Sequence, residues 1–280
     1  MYTVGQATWL ALAINSSYVL VLHIKIPAYL KNRDRNDPEV MKHRMKRITL
    51  LCVSLVALIP ALLVHWGAYG SYFLVLHNMG LTPGLTLCRN LRFDAINIVR
   101  SLGFLLVLYS GSIALYTREH KSRLSVVVRH QLFEAFALLQ GFRDHIFAPV
   151  SEELLYRSLT ICVLAPVLPE SRIILMTPLL FGCAHLHHAL FLWKNSTNAS
   201  ISVIALTTLF QLFYTSVFAL MSNRFFLKYG HNIACSICLH CVCNLFGIPP
   251  LSIEGSLSWR ILYAVLTFLG LYIYFFFGLC

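Results

Sequence analysis

The sequence predicts an all-α fold, a polytopic transmembrane bundle of about seven or eight helices around a central membrane-embedded cavity. Three observations predict it. Of the 280 residues 58% are hydrophobic and 12% charged, with a mean hydropathy of +0.71, whereas a soluble domain carries about 25% charged residues. Apolar stretches close to the ~20 residues needed for one crossing recur along the whole chain. The basic residues behind a net charge of +11 gather in short runs beside those stretches, as cytosolic loops do. That placement points to anionic lipid heads and away from nucleic acid.

Taken in order, the first predicted span is 4–24. It lacks a basic head and a small-residue cleavage site, so it reads as a retained anchor. From Lys25 to Arg47, eight basic residues face Asp34, Asp37 and Glu39, a net of +5. Spans follow at 48–66 and 95–117, then a second basic run of Arg118, Lys121, Arg123 and Arg129 opposed by Glu119. Residues 130–141 have the pattern of an amphipathic helix lying at the interface. A less apolar candidate covers 143–166, and further spans cover 172–193, 201–222, 231–248 and 258–279. If the first three spans each cross once, both basic loops share the cytosolic side and the N-terminus is luminal. A crossing at 143–166 would also put 194–200 in the cytosol, leaving the sequons at Asn195 and Asn198 without glycan. No linker, repeat or low-complexity tract divides the chain, which reads as one integral membrane domain. The nine cysteines are odd in number and mostly sit in apolar runs (Cys52, Cys162, Cys183, Cys235, Cys238), where they act as small hydrophobes.

Six polar residues stand out within the apolar segments: Glu152, Glu153, Arg157, His185, His240 and Asn244. A charge at a span centre costs roughly 2.5–3.5 kcal/mol on insertion scales, so such residues face the bundle interior and are functional by default. Glu153 and Arg157 are four apart, the acid first, the favourable order for a same-face pair. Glu152 then points about 100° away round the helix. A buried carboxylate with no cation of its own is suited to general-base work near neutrality. Pro149 can start this helix in its first turn, where the helix dipole would instead favour the ionised forms.

The run "FGCAHLHHALF" (181–191) brings in His185, readable as a satisfied core histidine or as a catalytic one. His187 and His188, nearer its end, read as interfacial. His240 and Asn244 are four apart and project from one face. Two donors so placed suit an oxyanion hole or interhelical hydrogen bonding.

Glu152-Glu153-x-x-x-Arg157, Phe181-x-x-x-His185 and His240-x-x-x-Asn244, in this order, resemble the type II CAAX prenyl endopeptidases, a family of glutamate-dependent intramembrane proteases. "APVSEELLYR", "FGCAHLHHA" and "GHNIACSICLHCVCNLFGIP" carry the likeness, which covers roughly residues 140–250. The resemblance implies that Glu152 and His185 activate water, that His240 and Asn244 stabilise the oxyanion, and that Glu153 and Arg157 support them. It implies removal of the last three residues from farnesylated or geranylgeranylated CAAX proteins, such as Ras-type small GTPases, at the endoplasmic reticulum membrane from the cytosolic side. On this reading residues 1–130 supply transmembrane helices with basic cytosolic loops, and 131–280 form the protease core. Membrane lipid is a partner, nucleic acid is not, and the basic loops are expected to meet polybasic substrate tails.

No cofactor is implied. The runner-up is a zinc protease with a His₂Glu site, although the chain lacks His-Glu-x-x-His. A transporter or membrane scaffold would also use intramembrane Glu, Arg and His. A cysteine protease would need Cys183, Cys241 or Cys243 as nucleophile, against the poor reactivity of buried thiols.

Overall fold

The computed structural model describes residues 2–278 apart from 25, 32, 82, 188, 190–191 and 194–199. His188 and both sequon asparagines lie outside the described residues. Among those described, regular structure is entirely helical.

Helix α1 (Val4–His23) opens with a capping box, in which Thr3 accepts from the Gln6 amide and Gln6 accepts from the Thr3 amide. Helix α2 (Pro38–His65) is capped by Asp37, with Pro38 in the first turn, where no N–H is missed. Its 28 residues span about 42 Å, well beyond a hydrocarbon layer of about 30 Å. The cationic first turns, with Lys42, Arg44, Lys46 and Arg47, therefore project past the apolar stretch. Helix α3 (Tyr72–Met79) is short; α4 (Leu91–Leu108) and α5 (Ser110–Glu119) meet at a 63° bend.

Helix α6 (Leu124–Phe136) leaves Val126, Leu132, Phe133 and Phe136 exposed, a face suited to the interface. It ends before residue 141, because the chain turns at Ala137–Leu138 into a new helical run, α7, over 139–164. Then come α8 (Glu170–Ala184), α9 (Ile201–Lys228), α10 (Ile233–Phe246) and α11 (Leu257–Ile273).

Among the described residues, four helices (α1, α2, α9 and the stretch Leu257–Phe276) are long and apolar enough to cross a membrane, or five with α4 and α5 as one broken span. The other predicted spans correspond to α7, α8 and α10. Helices α8 and α10 have only 15 and 14 residues, and α7 carries the charges. These three interior elements hold the site.

Their position follows from burial. The second half of α7 is enclosed on every side: Leu155, Leu159, Ile161, Cys162 and Val163 have no exposed surface, and neither have Arg157, Ser158 and Thr160. Polar side chains key its neighbours to it. Asn15 of α1 donates to Thr160 Oγ1 at 2.8 Å, and Ser158 donates to Met79 O of α3 at 2.6 Å. On the outside, α9 presents Leu206 and Phe213, about two-thirds exposed, a face for lipid.

Two glycines permit close approach. Gly80 ends α3 with φ 58°, and a Cβ there would fall on the His231 carbonyl. His231 in turn donates from Nδ1 to Asn78 O at 2.7 Å, which pins the start of α10. At Gly182, a Cβ would lie 2.3 Å from Ser216 Oγ and 3.1 Å from Leu212 O, so α8 and α9 pack backbone to backbone just before His185.

Candidate active site

Helix α7 is not a regular α-helix. Two π-helical segments, Arg143–Phe147 and Leu154–Leu159, bracket Ala148–Glu153, which carries both glutamates. Such segments cluster at functional sites. The expectation that Pro149 starts the helix is corrected here: helical backbone begins at Leu139, so no helix N-terminus faces Glu152.

Pro149 has a different consequence. In the first π segment Ala148 N–H donates to Arg143 O, five residues back. The next bond in that register would run from residue 149 to Asp144 O, but proline has no N–H. Asp144 O instead accepts from Asn244 Nδ2 at 2.9 Å. A gap in the ladder of α7 thus seats a side chain of α10.

Glu153 is fully buried and multiply held. Its Oε2 lies 3.1 Å from Arg157 Nε and accepts from Ser222 Oγ at 2.6 Å; its Oε1 lies 2.8 Å from His240 Nδ1. Arg157 is equally buried, with its guanidinium 4.3 Å over the Phe181 ring, a cation–π contact that is strongest when desolvated. Because a carboxylate only accepts, His240 Nδ1 carries a proton. Its other nitrogen, Nε2, lies 3.9 Å from Glu152 Oε2.

Glu152 leaves this buried layer and lines a cavity of about 130 Å³ together with Phe181, His185, Tyr214, Thr215, Phe218, His240, Cys243 and Asn244. Four of the predicted residues (Glu152, His185, His240 and Asn244) therefore share one cavity, while Glu153 and Arg157 stand behind its wall. Tyr18 of α1 reaches Glu152 Oε1 at 3.4 Å and Ser151 Oγ at 3.1 Å. His185 Nδ1 lies 2.9 Å from Phe181 O. A carbonyl only accepts, so in the neutral ring Nε2 is the acceptor nitrogen.

Sequence reasoning missed Ser222, Tyr18 and, of the aromatic wall, Phe218 and Tyr214; Phe181 it named only as part of a motif. Ser222-Asn223 inside the apolar run of α9 was a usable signal. So were Asn15, Asp94 and Asn232, buried polar residues outside the six singled out.

A His₂Glu zinc site needs two imidazole nitrogens and a carboxylate converging on one point. His240 Nδ1 is committed to Glu153, and among the described residues no three His, Cys, Asp or Glu side chains form a metal-binding group. Of the candidate thiols, Cys243 lines the cavity and Cys183 and Cys241 do not; each is a free cysteine.

The family model described as type II CAAX prenyl endopeptidase, Rce1-like, matches residues 134–246, the stretch from the end of α6 to the end of α10. Over that stretch the chain is similar to this family. CAAX prenyl protease 2 of Saccharomyces cerevisiae is 29% identical over 250 residues, covering 85% of this chain and 78% of the relative. CAAX prenyl protease 2 of Homo sapiens is 26% identical over 258 residues, covering 88% and 73%. The probable CAAX prenyl protease 2 of Schizosaccharomyces pombe is 27% identical over 249 residues, covering 86% and 81%. No solved structure matches the chain. The match and these relatives mark the chain as a hydrolase, a protease, and a multi-pass membrane protein, and they speak against the transporter and scaffold readings.

Proposed function

We propose that this peptidase removes the last three residues from farnesylated or geranylgeranylated CAAX proteins, including Ras-type small GTPases, with Glu152 and His185 activating water and His240 and Asn244 holding the oxyanion. The observation that carries this reading is the convergence of Glu152, His185, His240 and Asn244 on one cavity of about 130 Å³.

In this reading water attacks the scissile carbonyl carbon while its proton passes to Glu152, with His185 Nε2 as the second acceptor on the nucleophile. The developing oxyanion is held by Asn244 Nδ2, which has a second hydrogen besides the one given to Asp144, and by Nε2–H of His240. With Nδ1–H already donated to Glu153, His240 has that second donor as the imidazolium. Glu152, Glu153, Arg157 and His240 then form two opposite-charge pairs, which is the arrangement buried charges require. Collapse breaks the C–N bond, and the proton moves to the leaving amine. The products are a prenylcysteine carboxylate and a free tripeptide.

The chemistry of this reading needs no metal. The prenyl chain presents the peptide at the bilayer, at about 0.8 kcal/mol per buried CH₂. The cationic loops argue for a cytosolic opening, at the endoplasmic reticulum membrane. The deciding experiment is Glu152→Ala in purified, folded protein, assayed on a farnesylated CAAX peptide. Turnover should fall by several orders of magnitude with substrate affinity kept; undiminished turnover would end the reading.

A further inference from the structure

The small cavity shares Glu152, His185, Tyr214, Cys243 and Asn244 as walls with a larger one of about 1230 Å³. The far part of the larger cavity is cationic, lined by Lys31, Arg33, Arg35, Arg44 and Arg143. Some of these charges are already matched. Arg33 pairs with Glu39 at 2.7 Å, and Arg143 makes a two-pronged contact with Asp144 at 2.7 and 3.0 Å. Arg143 also donates to Asn36 Oδ1 at 3.0 Å, which holds the loop carrying Arg35 against α7. The half-buried guanidinium groups of Arg35 and Arg44 make no side-chain hydrogen bond or ion pair among the described residues; Arg44 is repelled by Arg35 and Arg143, and Asp34 is the opposite charge near it. Unmatched guanidinium groups in a shared cavity form a site for an anion with planar, two-oxygen geometry.

We propose that Arg35 and Arg44, backed by Arg143, bind the free α-carboxylate at the C-terminus of the substrate. This rests on the peptidase reading above. The spacing fits it. Arg143 lies nine residues before Glu152 on one helical run, at most about 13 Å along the axis at ~1.5 Å per residue. An extended tripeptide spans about 10–11 Å at ~3.3–3.6 Å per residue, and a guanidinium contact closes the remainder. Helix α7 then acts as a ruler: a carboxylate seated on the arginines sets the bond three residues upstream against Glu152. The expectation that these basic loops attract polybasic tails fails on sign, because like charges repel; an anion is what this lining accepts.

The test compares a farnesylated CAAX peptide ending in the free acid with the same peptide ending in a carboxamide, on the full chain in neutral phosphatidylcholine vesicles. The wild type should cleave the acid with a kcat/KM higher by roughly tenfold or more, as loss of a charge-assisted hydrogen bond implies. In Arg44→Gln and Arg35→Gln that preference should shrink toward one, mainly through KM, and Arg44→Lys should restore part of it. Equal cleavage of acid and amide by the wild type, with Glu152→Ala inactive, would overturn the carboxylate site and leave the peptidase reading standing. No cleavage of either peptide would remove both. Adding phosphatidylglycerol separates a lipid headgroup from the substrate carboxylate. Variants that lose activity equally on acid and amide, and only in anionic vesicles, would assign these arginines to lipid and overturn the proposal.

Discussion

His240 Nδ1 lies 2.8 Å from Glu153 Oε1, and Glu153 is in turn 3.1 Å from Arg157 with no exposed surface on either. Both glutamates therefore act on one imidazole: Glu153 accepts from its Nδ1–H and orients the ring from behind, and Glu152 faces its other nitrogen across the cavity wall. Adjacent residues of the same type end up with different work because one helical step turns one inward and the other to the cavity.

Glu153→Gln should separate stability from activity. It leaves Arg157 as a buried cation without its counter-charge, which costs about 3–5 kcal/mol when one partner of such a pair is removed. Turnover should fall by roughly 10²-fold or more, as when the carboxylate orienting a catalytic imidazole is lost. In the double variant Glu153→Gln/Arg157→Met, unfolding in detergent should recover most of the lost stability while activity stays low. Recovery of both together would reduce Glu153 to a purely structural role.

A second prediction concerns metal. Purified enzyme dialysed exhaustively against a strong chelator should keep its kcat/KM on the farnesylated peptide, because His240 Nδ1 is committed to Glu153 and the proposed water activation uses only Glu152 and His185. Activity that disappears on dialysis and returns with added zinc would reinstate the His₂Glu alternative.

Much of this site was legible because charge in an apolar segment is so costly that each instance marks an interior position. Four-residue spacing correctly paired Glu153 with Arg157 and set His240 and Asn244 on one face. The same logic could not find the partner of His240, because spacing reports neighbours on one helix and Glu153 is 87 residues away. Ser222 escaped for a similar reason: the polar pair Ser222-Asn223 in α9 was a signal, but Glu153, which Ser222 meets, is 69 residues away. The π segments of α7 were invisible as well. Nothing in "RDHIF" or "LLYRSL" demands a wider turn. Proline at position 149 was misread as a helix start because that is its common place, whereas the structure uses it inside a helix to release a carbonyl.

Gly182→Ala tests how tightly α8 is seated. The added methyl would meet Leu212 O at 3.1 Å and Ser216 Oγ at 2.3 Å, overpacking worth about 1–3 kcal/mol. His185 is three residues on, and a displacement near 1 Å at a catalytic group can cost about 10²-fold in rate. Adding Ser216→Gly should relieve the shorter overlap but not the backbone one, so activity should recover only in part. A wild-type rate in Gly182→Ala would show that His185 does not depend on this contact.

Pro149→Ala should weaken catalysis without weakening the fold. Alanine restores an N–H that can complete the helical ladder onto Asp144 O, and it removes a poor helix former, so the melting temperature should hold or rise. Asn244 then competes for the carbonyl that now positions it. Removing one oxyanion donor altogether costs about 10²–10³ in kcat; loosening it should give a smaller loss, on the order of tenfold, in kcat more than in KM. The decisive comparison is the double variant. If Pro149 acts through Asn244, then Pro149→Ala should have almost no further effect in an Asn244→Ala background, the non-additivity expected of residues that share one interaction. Fully additive losses would place the effect of Pro149 elsewhere in α7.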